Sequence, residues 1–131
     1  MLRGSAGLPA IAVLAMSLGS QAAAQQTFQH DCQFSLAVKS DSDGINRYDV
    51  DWRVKAARKG KNGQVEVDGS GSYKARAKIF PSGAVEFSFR TDVSLEVLTI
   101  GANGEALWTI EFNNSDTLTY VGGCDAARRT G

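Results

Sequence analysis

From Phe28 onward, apolar and polar residues alternate with a period of two, and no stretch shows a sustained 3.6-residue apolar repeat. Six runs stand out. The first is Phe28, His30, Cys32, Phe34, Leu36 and Val38, and the second is Tyr48, Val50, Trp52, Val54 and Ala56. The third extends from Val65 to Ile79 through Gly69, Gly71 and Tyr73. The fourth extends from Val85 to Val97 through Phe87, Phe89, Val93 and Leu95. Trp108, Ile110 and Phe112 mark the fifth, and Leu118, Tyr120, Gly122 and Cys124 the sixth. The pattern predicts an all-β domain of six antiparallel strands in up-and-down order.

Turn chemistry between the runs sets an expected register. Asn62-Gly63 is the favoured pair of a two-residue type I′ turn. It would place Trp52 opposite Tyr73 on the core face, with Lys59 by Glu66, Asp51 by Lys74 and Asp49 by Arg76 outside. Pro81-Ser82-Gly83 suits a three-residue hairpin that sets Lys78 by Glu86, Ala77 by Phe87 and Gly69 by Leu95. Asn103-Gly104, as a two-residue turn, sets Val97 by Ile110 and Leu95 by Phe112. Ser42-Asp43-Gly44 sets Phe34 by Trp52 and Asp31 by Lys55, and Asn113 to Asp116 is turn-like without a defined register. The inward glycines Gly69 and Gly71 would let a long third strand bend.

One apolar face on a single sheet needs cover, and no helix is available to supply it. The expected solution is a sheet rolled into a small barrel, with a two-sheet sandwich as the alternative. The two cysteines support the barrel. Cys32 lies in the first run and Cys124 in the last, both on the core parity, so a disulfide between them would clasp the terminal strands.

The N-terminus explains why those cysteines should be oxidised. Arg3 precedes an apolar run, Leu8 to Leu18, that is too short to span a bilayer, and Ala22-Ala23-Ala24 offers a signal-peptidase site. Residues 1–24 are therefore expected to be a cleaved secretory signal, residues 25–125 a single domain and residues 126–131 a disordered tail. Export to the periplasm or beyond, with no membrane anchor after cleavage, reads the cysteines as a structural disulfide.

The 131 residues carry 14 basic and 14 acidic side chains, one histidine and 43% apolar residues, which gives an ordinary globular chain of one domain. Zero net charge and export exclude a general nucleic-acid binder. The balance is uneven along the chain: residues 47–78 sum to +5 and residues 79–131 to −4. With several charges neutralised across strands in the expected register, Arg47, Arg53 and Lys55 remain as a candidate anion-binding patch. Leu98 and Ile100, on the outward parity, would meet Leu107 across the Asn103-Gly104 turn as a candidate partner surface.

Other chemistry is sparse. Glu96 and Glu111 come opposite each other in the expected register, the spacing of a carboxylate pair in a hydrolase. His30 and Cys32 share a face, but with no second histidine, and the cysteine required for a disulfide, they imply no metal site, and no cofactor motif is present. Asp41-Ser42-Asp43-Gly44 lacks the later ligands of a calcium loop and is read as a turn. The residues point to a non-enzymatic binding or inhibitor-type module that offers its outer face and loops to a protein or anionic envelope component. The alternatives are a carrier with a cavity among Trp52, Tyr73, Phe89 and Trp108, and a hydrolase using Glu96 and Glu111.

Overall fold

The computed structural model describes residues 26–130; the expected signal segment, residues 1–24, lies outside them. Every regular element described is a strand: β1 (Thr27–Asp41), β2 (Gly44–Lys59), β3 (Asn62–Val67), β4 (Gly71–Ile79), β5 (Val85–Arg90), β6 (Ser94–Ile100), β7 (Glu105–Phe112), β8 (Thr117–Cys124) and β9 (Arg128–Arg129). Consecutive strands from β1 to β8 pair antiparallel, and β1 pairs with β8 as well as β2. The meander therefore closes into an eight-stranded barrel rather than stacking as a sandwich. Closure lets the described residues, which form no helix, turn an apolar face inward.

The barrel has eight strands where the alternation suggested six, because two of the six runs each contain a turn. The run from Val65 to Ile79 reverses at Asp68 to Ser70, where the Ser70 N–H donates to the Val67 carbonyl at 3.0 Å. Gly69 and Gly71 have φ of 80° and 117°, so they reverse the chain instead of bending a strand. The run from Val85 to Val97 reverses at Asp92-Val93. There the Thr91 N–H donates to the Ser94 carbonyl, and the Thr91 hydroxyl accepts from the N–H groups of Val93 and Ser94. A two-residue connection makes the numbers of opposed residues sum to an odd value, so odd positions of β5 face even positions of β6. Phe87 stands opposite Leu98, and Val85 opposite Ile100.

The Asn-Gly signal at Asn62-Gly63 also resolves differently. The β2–β3 turn is Gly60-Lys61, with Gly60 at φ 61° and Lys59 opposite Asn62, so Val54 faces Val67 and Trp52 does not face Tyr73. Gly63 serves packing, since a Cβ there would lie 2.9 Å from the Phe87 ring. Asn103-Gly104 belongs to a three-residue connection closed by the Gly101 N–H donating to the Glu105 carbonyl at 2.7 Å, which moves that register by one. The Pro81 to Gly83 connection pairs Lys78 with Glu86 and Ala77 with Phe87 as expected. Phe34 faces Trp52 and Asp31 faces Lys55, also as expected. The turn itself is the two-residue Ser42-Asp43, and an irregularity between Phe34 and Leu36 restores the register.

Phe34, Val54, Val65, Phe87, Leu98 and Trp108 are fully buried and fill the barrel, each contributing about 1.5–3 kcal/mol of transfer free energy. The seam between the terminal strands is tight. Cys32 and Cys124 are directly opposed and joined by a disulfide, the type of bond that oxidising compartments maintain. Gly122 faces Phe34, and a Cβ on it would overlap the Gln33 carbonyl and lie 2.7 Å from the Phe34 Cα. Only glycine allows β8 to approach β1 this closely.

Ala126 to Thr130, expected in an unstructured tail, instead continue along β1. Thr27 to Asp31 extend past the end of β8 and leave an edge, which β9 covers by pairing with Phe28 and Gln29. The Thr130 N–H donates to the Thr27 carbonyl, and Arg128 Nε lies 3.2 Å from a carboxylate oxygen of Asp31.

Candidate functional site

The parity change between β5 and β6 relocates several expected site residues. Leu98 and Ile100 point into the core, with 0% and 3% of their surface exposed, and only Leu107 of that trio is outside, at 48%. The expected trio is therefore split into two core residues and one exposed leucine, which stands opposite Thr99 on β6 and Val121 on β8. Glu96 and Glu111 are likewise separated. Their cross-strand partners are Ile110 and Leu95, and they project from opposite faces of the sheet. The hydrolase arrangement is thus not assembled.

Glu96 instead points into the barrel, where its carboxylate accepts from the indole Nε1 of Trp108 at 3.1 Å and the hydroxyl of Ser94 at 3.2 Å. Burial, and then the charge of Glu96, push the Tyr120 phenol above its usual pKa. The rings expected around a ligand cavity lie against each other. Centroid separations are 4.9 Å for Tyr73 and Phe89, 5.1 Å for Trp52 and Trp108, and 6.1 Å for Phe89 and Trp108. Tyr120 closes on Trp52 at 4.4 Å. At these separations the rings are one another's packing partners.

At the other end of the barrel His30 is 6% exposed and meets the edge of Phe87 at 6.1 Å. Burial, reinforced by the nearby charge of Arg58 and opposed by Asp31, holds its pKa below 6.5. Neither His30 Nε2 nor Arg58 Nε has a protein hydrogen-bond partner, and the Arg58 guanidinium lies 4.5 Å over the Phe28 ring. Cys32 is engaged in the disulfide, and no group of three or more His, Cys, Asp or Glu side chains assembles among the described residues.

Arg47, Arg53 and Lys55 all lie on the outer face of β2, but the structure interleaves them with acids and amides. Lys55 stands between Asp31 on β1 and Glu66 on β3. Arg53 Nε donates to Gln33 Oε1 at 3.0 Å, and the amide nitrogen of Gln33 donates in turn to Asp51. Arg47 is exposed further along the strand, opposite Val38.

A different basic group is gathered into one place. The Gly60-Lys61 turn folds against β4, where the Ala77 N–H donates to the Lys61 carbonyl at 2.9 Å. On β4, Arg76 and Lys78 project outward on either side of the buried Ala77, and on β5 Ser88 and Glu86 stand opposite them. These residues, with Ile79, line a surface groove of about 660 Å³. Three cations thus face a single carboxylate. The only ion pairs among the described residues are Lys39–Asp41 and Arg128–Asp31, so none of the three is neutralised by a salt bridge.

The sequence carries a signal for this groove: Lys74, Arg76 and Lys78 alternate along one face of a strand. It was masked by the expected register, which paired Lys74 with Asp51 and Arg76 with Asp49. In the structure Lys74 faces Gln64 and Arg76 faces Asn62, both uncharged. Ile79, half exposed, adds an apolar wall at one end. Against known proteins the chain matches no family model, no curated protein and no solved structure, so its own geometry carries the functional reading.

Proposed function

We propose that this protein is an exported, non-enzymatic binding module whose barrel presents the Lys61, Arg76 and Lys78 groove to a polyanionic glycan or glycolipid of the cell envelope. The observation that carries this reading is the groove's unneutralised charge: three cations and one carboxylate on a rigid wall formed by β4, β5 and the β2–β3 turn. Guanidinium and ammonium groups on adjacent outward positions suit phosphate, sulfate or carboxylate groups, and Ile79 offers contact to a sugar face or acyl segment. The groove is on the outside of the barrel, where a polymer larger than the protein can lie across it. A secretory signal at residues 1–24 and the disulfide support a setting in the periplasm or outside the cell.

Titration of the oxidised protein with heparin, as a sulfated glycan probe, tests this. Binding is expected to weaken about tenfold or more between roughly 50 and 300 mM salt. Combined Lys61→Ala, Arg76→Ala and Lys78→Ala substitution should also cost about tenfold, and Arg47→Ala with Arg53→Ala and Lys55→Ala less than about threefold. Equal loss in both triple variants, or no saturable binding by the wild type, would overturn the reading.

A further inference from the structure

We propose that the open edge of β2 is a docking edge for a second copy of this chain, joined antiparallel about a two-fold axis at Tyr48. β2 is paired on both sides only from Val54 onward; residues Gly44 to Trp52 pair with β1 alone. The last bond on the β3 side is from the Asp68 N–H to the Arg53 carbonyl, at 3.1 Å. Backbone groups of successive residues point to opposite edges of a strand, so Arg53 sets the pattern: the N–H and C=O groups of Asp51, Asp49, Arg47 and Ile45 face the open side. Nine consecutive residues with an unpaired edge form a template for another strand.

Charge selects both the partner and the register. Along the outer face of this edge the side chains read Arg47, Asp49, Asp51 and Arg53, and neither Arg47 nor Asp49 is in an ion pair among the described residues. In a two-fold pairing centred on Tyr48, Arg47 of each copy stands opposite Asp49 of the other, and the Asp43 turn of each copy approaches Arg53 of its neighbour. A centre at Asp49 sets that carboxylate against itself. A centre at Val50 opposes Arg47 to Arg53 and Asp49 to Asp51, and a centre at Arg47 opposes Asp43 to Asp51. Like charges directly across a sheet are destabilising, so the Tyr48 register is the one without a like pair. It also brings the two Tyr48 side chains, each 49% exposed, side by side on the opposite face.

Sedimentation of the oxidised protein up to about 200 µM should show a reversible dimer. Arg47→Asp and Asp49→Arg should each weaken it by about tenfold or more, and the double exchange, which restores opposite charges across the axis, should return it to within about threefold of wild type. Tyr48→Cys should cross-link between copies under mild oxidation, and Val50→Cys should not. A protein that stays monomeric over this range overturns the proposal. So does a dimer indifferent to both single reversals, or one that cross-links through position 50 in preference to 48.

Discussion

The two halves of β2 share a strand but differ in their neighbours. From Val54 to Lys59 the strand is held between β1 and β3, and its inward residues Val54 and Ala56 are fully buried. From Gly44 to Trp52 it is held by β1 alone; nearly every side chain is exposed, including Ile45 at 71%. Both halves have the composition of a strand, so local propensity does not separate them. Ring closure does: where the barrel completes its circuit, apolar side chains gain a common interior, and where it does not, the same alternation produces a two-sided ribbon. The basic groove belongs to the closed region, whose walls fix the spacing of its cations.

The strongest way to break that contrast is at the seam. Gly122→Val would force β8 away from β1 and leave the barrel without a closing pair, giving β1 a free edge of its own. It is expected to prevent folding, or to cost about 5 kcal/mol or more, read by denaturant unfolding and loss of near-ultraviolet circular dichroism. Replacing both Cys32 and Cys124 by alanine leaves the close approach intact but releases a link across 92 residues, for an expected loss of about 4 kcal/mol in the same unfolding measurement. A double-alanine protein as stable as the wild type would show that packing and pairing alone keep the circuit closed.

A smaller effect sharpens the contrast from within the closed region. His30, opposite Ala56, has a folded-state pKa below 6.5, so the folded protein binds fewer protons than the unfolded chain as pH falls. Its contribution is present in full above about pH 6.5 and is lost as pH drops below that value. The thermal midpoint should therefore fall between about pH 7 and pH 5, and His30→Phe should fall less. Asp31 also has a lowered pKa, through Gln29 and then Arg128, but it titrates below 3.8 and does not enter this window. In the open half, Ile45→Lys should change stability by less than about 0.5 kcal/mol, because Ile45 contributes nothing to the shared interior.

The same contrast explains what could be read before the fold was known. The all-β class, the rolled meander and the Cys32–Cys124 clasp follow from alternation and parity, which are properties of single strands and survive errors in turn position. The registers at Pro81 to Gly83 and between Asp31 and Lys55 were legible because a specific turn or an offsetting irregularity preserved the numbering. Strand number was not legible, because Asp92-Val93 continues the polar–apolar alternation through a reversal, and the parity of Leu98 and Ile100 was lost with it. Gly63 illustrates the ambiguity of glycine. Beside Asn62 it looks like a turn residue, yet it is glycine because the Phe87 ring occupies the space of its Cβ. That two-residue displacement, together with the reversal at Asp68 to Ser70 that separates β4 from β2, concealed the groove, because the expected register paired Arg76 with Asp49, which it does not meet.

On the proposed function, the closed barrel acts through its outer basic groove and not through its interior. The most direct test is a nuclear magnetic resonance titration of the oxidised, isotope-labelled protein with a heparin oligosaccharide at low salt. Saturable shifts are expected only at Gly60 and Lys61, Arg76 to Ile79, and Glu86 to Ser88, with the indole signals of Trp52 and Trp108 unmoved. Shifts concentrated at Trp52, Tyr73, Phe89 and Trp108, or no saturable shifts at all, would contradict it.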